Sequence, residues 1–101
     1  MGYKIVWTHQ AQQTFESVIH YLEIAWGEKQ IIKFLESTEH IIEKISKFPY
    51  SFRSSKFQPI HETLITKHNL LLFEVIENKE IIVIHACWDT RQNPKKKPLQ
   101  T

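Results

Sequence analysis

The sequence predicts an α+β domain of order β-α-α-β-β-β, a helix hairpin packed on one face of a four-stranded, mostly antiparallel sheet. Three observations predict it. Bulky side chains alternate over a short opening segment, apolar residues then recur at spacings of three and four through two long stretches, and period two returns in the second half. A hydrophobic fraction of 42% with only two glycines favours a packed core over disorder.

The opening strand covers residues 3–7, with Tyr3, Ile5 and Trp7 on one side and Lys4 and Val6 on the other. Thr8 follows as an N-cap, its hydroxyl placed to accept from a free N–H of the first helical turn. From Gln10 to about Trp26 one stripe contains Ala11, Phe15, Val18, Ile19, Leu22 and Trp26. Gly27 is suited to the positive φ that closes a helix. A second stripe runs from Glu28 to about Phe48 through Ile31, Phe34, Leu35, Thr38, Ile41, Ile42 and Ile45, and Pro49 stops it. So short a turn forces an antiparallel helix pair.

Residues 50–59 form a loop or an edge strand. Strands are expected near 60–67, 69–77 and 80–88, and Asn78-Lys79 suits a two-residue hairpin turn because asparagine tolerates positive φ. That turn sets a register. Phe73 then faces Ile84, Val75 faces Ile82, and Leu71 faces Ala86, with Trp88 continuing an apolar side that packs on the helices. The opposite face pairs Leu72 with His85, Glu74 with Val83 and Ile76 with Ile81, and Cys87, Asp89 and Arg91 continue it. No helix remains to cover that face, so it is expected to receive a partner. A one-residue slip would exchange the two faces.

The chain is expected to be one domain over 1–101, with 92–101 a basic C-terminal tail carrying Lys95, Lys96 and Lys97. One cysteine, Cys87, allows no internal disulfide, and no apolar run reaches the roughly 18 residues of a membrane span. A cytoplasmic location is expected. Charge is uneven: residues 1–50 hold five lysines and six glutamates, a net of −1, and residues 51–101 hold eight Lys/Arg and five Asp/Glu, a net of +3. The basic end suits phosphates or an acidic partner, or serves as a solvated tail. Six histidines raise a metal reading, but the spacings His61 to His68 and His85 to Cys87 match no common zinc pattern. No metal and no cofactor are expected.

Several segments, in order, resemble the RelE/ParE toxin superfamily. They are Ile5-Val6-Trp7-Thr8 with Ala11, Tyr21-Leu22 with Trp26-Gly27, Ile45 to Pro49, His68-Asn69-Leu70, Ile82-Val83-Ile84, and Asp89-Thr90-Arg91-Gln92-Asn93-Pro94-Lys95-Lys96. The likeness covers about residues 3–97 and is nearest the ParE-like branch often labelled plasmid stabilisation. The resemblance implies the toxin of a type II toxin–antitoxin pair, bound by a cognate antitoxin as a hetero-oligomer, or present as a homodimer. The ParE-like branch acts on DNA gyrase, and the RelE-like branch is a metal-independent ribonuclease cutting mRNA on the ribosome. A third reading is an inactive toxin that only binds antitoxin. Fold does not choose among them.

For the ribonuclease reading the resemblance points to Arg53, Lys56, His85 and Arg91, with Lys67 as a further basic residue. Such chemistry needs the 2′-OH activated, the phosphorane charge stabilised and the leaving oxygen protonated. Arg91 suits a phosphate through its planar fork, or pairs with Asp89 and anchors the chain end. His85 suits an acid or base, with Glu74 its diagonal neighbour, or is an ordinary cross-strand partner. No tyrosine follows Tyr50, so the family's C-terminal tyrosine has no counterpart, which favours the gyrase branch. Leu72, Glu74, Ile76, Ile81 and His85 are the expected antitoxin-binding residues. Trp7, Trp26 and Trp88 are read as core or interface packing, and Cys87 as a small buried hydrophobe.

Overall fold

The structure, a computed structural model, describes residues 2–91. β1 (Lys4–Trp7) leads into α1 (His9–Ala25) and α2 (Glu28–Lys47), and β2 (His61–Thr66), β3 (Asn69–Ile76) and β4 (Ile81–Asp89) follow. The sheet order is β1-β4-β3-β2, with β1 parallel to β4 and the other two pairings antiparallel. The expected fold class is therefore the observed one. The tail residues Lys95, Lys96 and Lys97 lie outside the described residues.

Local chemistry sets the helix ends. The Thr8 hydroxyl accepts from the Ala11 N–H at 2.9 Å, as an N-cap does. The Trp26 and Gly27 N–H groups both donate to the Leu22 carbonyl, at 2.9 and 2.7 Å. Gly27 has φ 96°, a value open to a residue without Cβ. Glu28 in the first turn of α2 and Lys44 and Lys47 in its last turn complement the helix dipole. Phe48 caps α2, and Pro49 begins a short 3-10 turn over Pro49–Ser51 instead of extending the helix.

The helices cover one sheet face. Val18, Leu22, Phe34 and Ile45 meet Leu71, Phe73, Ile82 and Ile84, and Ile5 and Trp7 of β1 join them with Tyr3 just before it, as the alternation predicts. Trp7 meets Phe15 edge-on at 5.3 Å, and Phe15 meets Phe34 at 5.1 Å. Leu35 and Phe48, placed on the stripe by periodicity, are exposed. Residues 50–59 are the loop alternative; an isolated bridge joins Ser54 to His61, and Phe52 packs edge-on against Phe73 of β3 at 5.8 Å.

Two features of the β3–β4 hairpin differ from the expectation. The connection is the four residues Glu77 to Glu80, with a 3-10 turn over Glu77–Lys79, and Glu80 rather than Asn78 takes positive φ, at 52°. Tyr3 and Tyr50 both donate to the Glu77 carboxylate, so side chains from three parts of the chain hold this turn. These hydrogen bonds, chiefly, raise the Tyr50 phenol to about 12 and hold the Glu77 carboxyl low.

The second difference changes which residues share a face. Register is as expected from Ile76↔Ile81 to Phe73↔Ile84, but then a bulge at His85 pairs Leu72 with Ala86 and Leu71 with Cys87. The extra residue reverses the sides beyond it. Cys87 joins the helix-side core, while Ala86 and Trp88 join Leu70 and Leu72 on the other face. The expected Leu71–Ala86 and Leu72–His85 pairings, with Trp88 on the helix side and Cys87, Asp89 and Arg91 opposite, are thus corrected.

The backbone supplies a reason for the bulge. β1 accompanies β4 only as far as Ile84, where the chain turns at Thr8 into α1. Beyond that point the β4 edge has lost its strand partner, and its polar groups need others. The Thr8 N–H donates to the Ile84 carbonyl at 3.2 Å, and the Cys87 N–H donates to the Thr14 hydroxyl at 3.0 Å. The Thr8 backbone and the Thr14 side chain therefore share one edge, and the strand bends to meet both.

Candidate functional site

Two groups of polar side chains flank the bulge. The first is on the face away from the helices. There His85 Nε2 lies 2.9 Å from Glu74 Oε1, and both side chains are about a quarter exposed (28% and 25%). The diagonal pair expected from the hairpin is thus formed. Ile76, Ile81 and Val83 are half-buried around it, and Val6 of β1 is exposed in the next column. Leu72 is different. It is buried with Leu70, Ala86 and Trp88, and Ile60 packs on them from the loop before β2. The part of this face open to a partner is therefore Glu74, Ile76, Ile81 and His85, while Leu72 is already covered.

The second group begins with Asp89, whose side chain is fully buried. The bulge points it to the helix side, where it faces Asn69 in the ladder. Thr66 Oγ1 donates to Asn69 Oδ1 at 2.5 Å, and Asn69 Nδ2 donates to Asp89 Oδ2 at 2.7 Å. Arg91 donates to the same carboxylate three times: from its N–H (2.8 Å), from Nε (3.0 Å) and from Nη2 (2.9 Å). Burial by itself raises the Asp89 pKa, but the hydrogen bonds from Arg91 and Asn69 outweigh it and hold the carboxyl below its ordinary value. The pairing also raises the Arg91 guanidinium. That plane stacks 4.7 Å from the Trp26 ring and 6.0 Å from Tyr21, and Trp26 Nε1 donates to the Tyr21 hydroxyl at 3.4 Å. The C-terminal end of β4 is in this way pinned to the C-terminal end of α1.

The four residues expected to share a ribonuclease site do not converge. His85 is on the sheet face with Glu74, and Arg91 is on the helix side against Trp26. Arg53 reaches across the β2 edge to Glu62 at 3.3 Å, with 70% of its side chain exposed. Lys56 lies in the loop, 5.5 Å from the Phe57 ring. Sequence reasoning missed the Thr66–Asn69–Asp89 chain that positions Arg91, since the facing of Asn69 and Asp89 depends on the bulge. Of the three tryptophans read as core or interface, Trp7 and Trp88 pack in hydrophobic clusters, Trp88 on the face opposite the expected one, and Trp26 is 53% exposed. Cys87 is the buried hydrophobe anticipated, and burial pushes its thiol up to about 12, which leaves it inert. Among the described residues, no three His, Cys, Asp or Glu side chains stand together as metal ligands. Among the same residues, no helix is long and apolar enough to cross a membrane.

The family model described as the ParE toxin of the type II toxin–antitoxin system parDE matches residues 5–94. The chain belongs to the ParE toxin family. It is a ParE/RelE-type toxin of a type II toxin–antitoxin system. Solved structures share the fold at low identity. A chain of the chromosomal ParDE system of P. aeruginosa superposes with TM-score 0.72 at 12% identity, covering 86% of this chain and 95% of that one. A chain of the RelBE2 toxin–antitoxin complex of Mycobacterium tuberculosis gives 0.62 at 14%, covering 88% and 99%. A copper-bound mutant toxin of Helicobacter pylori gives 0.54 at 13%, covering 86% and 93%. Comparison with curated proteins gives no match.

Proposed function

We propose that this ParE-family toxin arrests growth by binding DNA gyrase, and that a cognate antitoxin neutralises it by covering the sheet face away from the helices. One observation carries the preference for gyrase. The residues needed for metal-free RNA cleavage are divided between opposite sides of the sheet, and His85, Arg91 and Arg53 each face a carboxylate. Phosphodiester cleavage requires acid, base and charge stabiliser to meet at one phosphate. A binding module has no such requirement. The antitoxin surface comprises Glu74, Ile76, Ile81 and His85, half-buried apolar and polar groups that a further chain completes. Leu72 contributes beneath them rather than at the surface.

The second reading, a ribosome-dependent mRNA endonuclease, rests on the Glu74–His85 pair, which has the geometry of an acid–base couple. Induced expression without antitoxin, with DNA and protein synthesis pulse-labelled separately, decides between them. DNA synthesis failing first, with filamentation, is the expected result, and purified protein should then inhibit gyrase supercoiling. Protein synthesis failing first overturns the gyrase proposal and makes His85 and Arg91 the first variants to examine. Unimpaired growth in a host with a sensitive gyrase leaves an antitoxin-binding protein without toxicity. Hydrogen-exchange protection confined to the helix hairpin on antitoxin binding would refute the proposed surface.

A further inference from the structure

The β3–β4 turn gathers oxygen donors from three distant segments of the chain. Tyr3, just before β1, donates its hydroxyl to the Glu77 carboxylate, 2.9 Å from each oxygen. Tyr50, in the 3-10 turn after α2, donates to Oε2 of the same carboxylate. Glu77 and Tyr50 are exposed and Tyr3 is half-buried, so the group is open to solvent. Among the described residues, no lysine, arginine or histidine pairs with Glu77. Its charge is met by two phenol dipoles, and a second carboxylate, Glu80, is near enough to act on Tyr3. The group lies at the start of β4, away from the Asp89–Arg91 joint at the strand's end.

Two hydroxyls and a carboxylate held this close are also a set of metal ligands, once the two phenol protons leave. Adjacent oxygens on an octahedral cation bonded at roughly 2.0–2.1 Å stand roughly 2.9 Å apart. The Tyr3 and Glu77 oxygens already have that spacing. The donor chemistry narrows the ion. All three groups offer hard oxygen, which disfavours ions that prefer thiolate or imidazole. A ligand must lose its proton to bind, and the hydrogen bond to Glu77 pushes the Tyr50 phenol up to about 12. Magnesium and calcium take carboxylate, carbonyl and water oxygens instead. A trivalent ion has the charge density to displace both phenol protons, as a bound cation reverses the ordinary pKa order around it. Two phenolates and one carboxylate then cancel its charge.

We propose that Tyr3, Tyr50 and Glu77 form a surface site for ferric iron. On binding, both phenol O–H bonds break and the protons pass to solvent. Two iron–phenolate bonds and one iron–carboxylate bond form, and water fills the remaining positions. The iron stays ferric throughout, so no oxidant or reductant takes part. The site is independent of whether gyrase or mRNA is the toxin's target.

The test is titration of the full chain at neutral pH with ferric citrate, read as visible absorbance. A phenolate-to-iron charge-transfer band, absent from ferric citrate and from the protein alone, is expected to grow to saturation. The chain has three tyrosines, so phenylalanine substitutions assign the band. Tyr3→Phe and Tyr50→Phe should each weaken it, the double variant should abolish it, and Tyr21→Phe should leave it unchanged. Glu77→Gln, which keeps both phenols, should lower iron affinity by at least the roughly 10–100-fold that loss of a supporting partner costs a metal site. Each substitution is small and at a solvent-accessible position, and thermal unfolding confirms that each variant is folded. No visible band with iron in excess overturns the proposal. So does a band that survives in the Tyr3→Phe/Tyr50→Phe double variant, or one lost only in Tyr21→Phe. A lowered melting temperature in the Tyr3 and Tyr50 variants with no band in the wild type would show a fastening of the turn and nothing more.

Discussion

Two polar pairs flank one bulge in β4, and they have opposite characters. Before the bulge, Glu74 and His85 meet across the hairpin at 2.9 Å with both side chains partly open to solvent. After it, Asp89 is fully buried and anchors Arg91, Asn69 and, through Asn69, Thr66. The first pair exchanges water for a partner at small net gain. The second has no water to return to, so its members depend on one another. Burial, more than residue type, thus sets what a polar pair is for. The open pair is available to a partner or to chemistry. The closed one is a joint that fixes Arg91 against Trp26.

The largest effect is expected at the closed pair. Asp89→Ala leaves Arg91 and Asn69 without their acceptor. A loss of about 3–5 kcal/mol in urea unfolding is expected, and a loss below about 1 kcal/mol would mean that water replaces the carboxylate.

The same joint gives an acid limb. The folded-state pKa of Asp89 lies below its ordinary 3.8, so its contribution is complete above that value and is lost as pH falls through the folded pKa. The urea midpoint of the wild type should therefore fall below pH 3.8 more steeply than that of Asp89→Asn. Parallel curves would assign the acid limb to other carboxylates. The smallest effect is expected at the open pair. A double-mutant cycle with Glu74→Gln and His85→Gln should give a coupling of about 0.2–1 kcal/mol at neutral pH. A coupling above about 2 kcal/mol would mean that this pair is structural too. At the opposite end of the hairpin, spectrophotometric titration should show a tyrosine ionising near 12, and Glu77→Gln should bring it down towards the ordinary phenol value. An unchanged titration would place the Tyr50 proton elsewhere.

Much of this was legible in the residues because it is local. Thr8 caps α1 through an atom three residues away, Pro49 ends α2 at its own position, and the apolar spacing marks the buried face of each helix. The first half of the β3–β4 register followed from the turn, so Glu74 and His85 could be placed together. The other half could not be placed. Leu35 and Phe48 fit the stripe but lie beyond the area the sheet covers. Trp26 has the spacing of a core residue but stands at the helix end, where no strand reaches it.

The sequence by itself determined the order and type of the elements, the packed face of the sheet as far as Ile84, and the membership of a toxin family whose segments recur in order. Periodicity, capping and proline chemistry act within a few residues, and so they survive in a linear reading. The tertiary structure alone decided the bulge, and with it the sides taken by Cys87, Trp88, Asp89 and Arg91. That decision rests on where β1 stops beside β4 and on Thr8 and Thr14 arriving to take up the exposed backbone groups. Those partners are more than seventy residues away along the chain, and no pattern within β4 encodes their position.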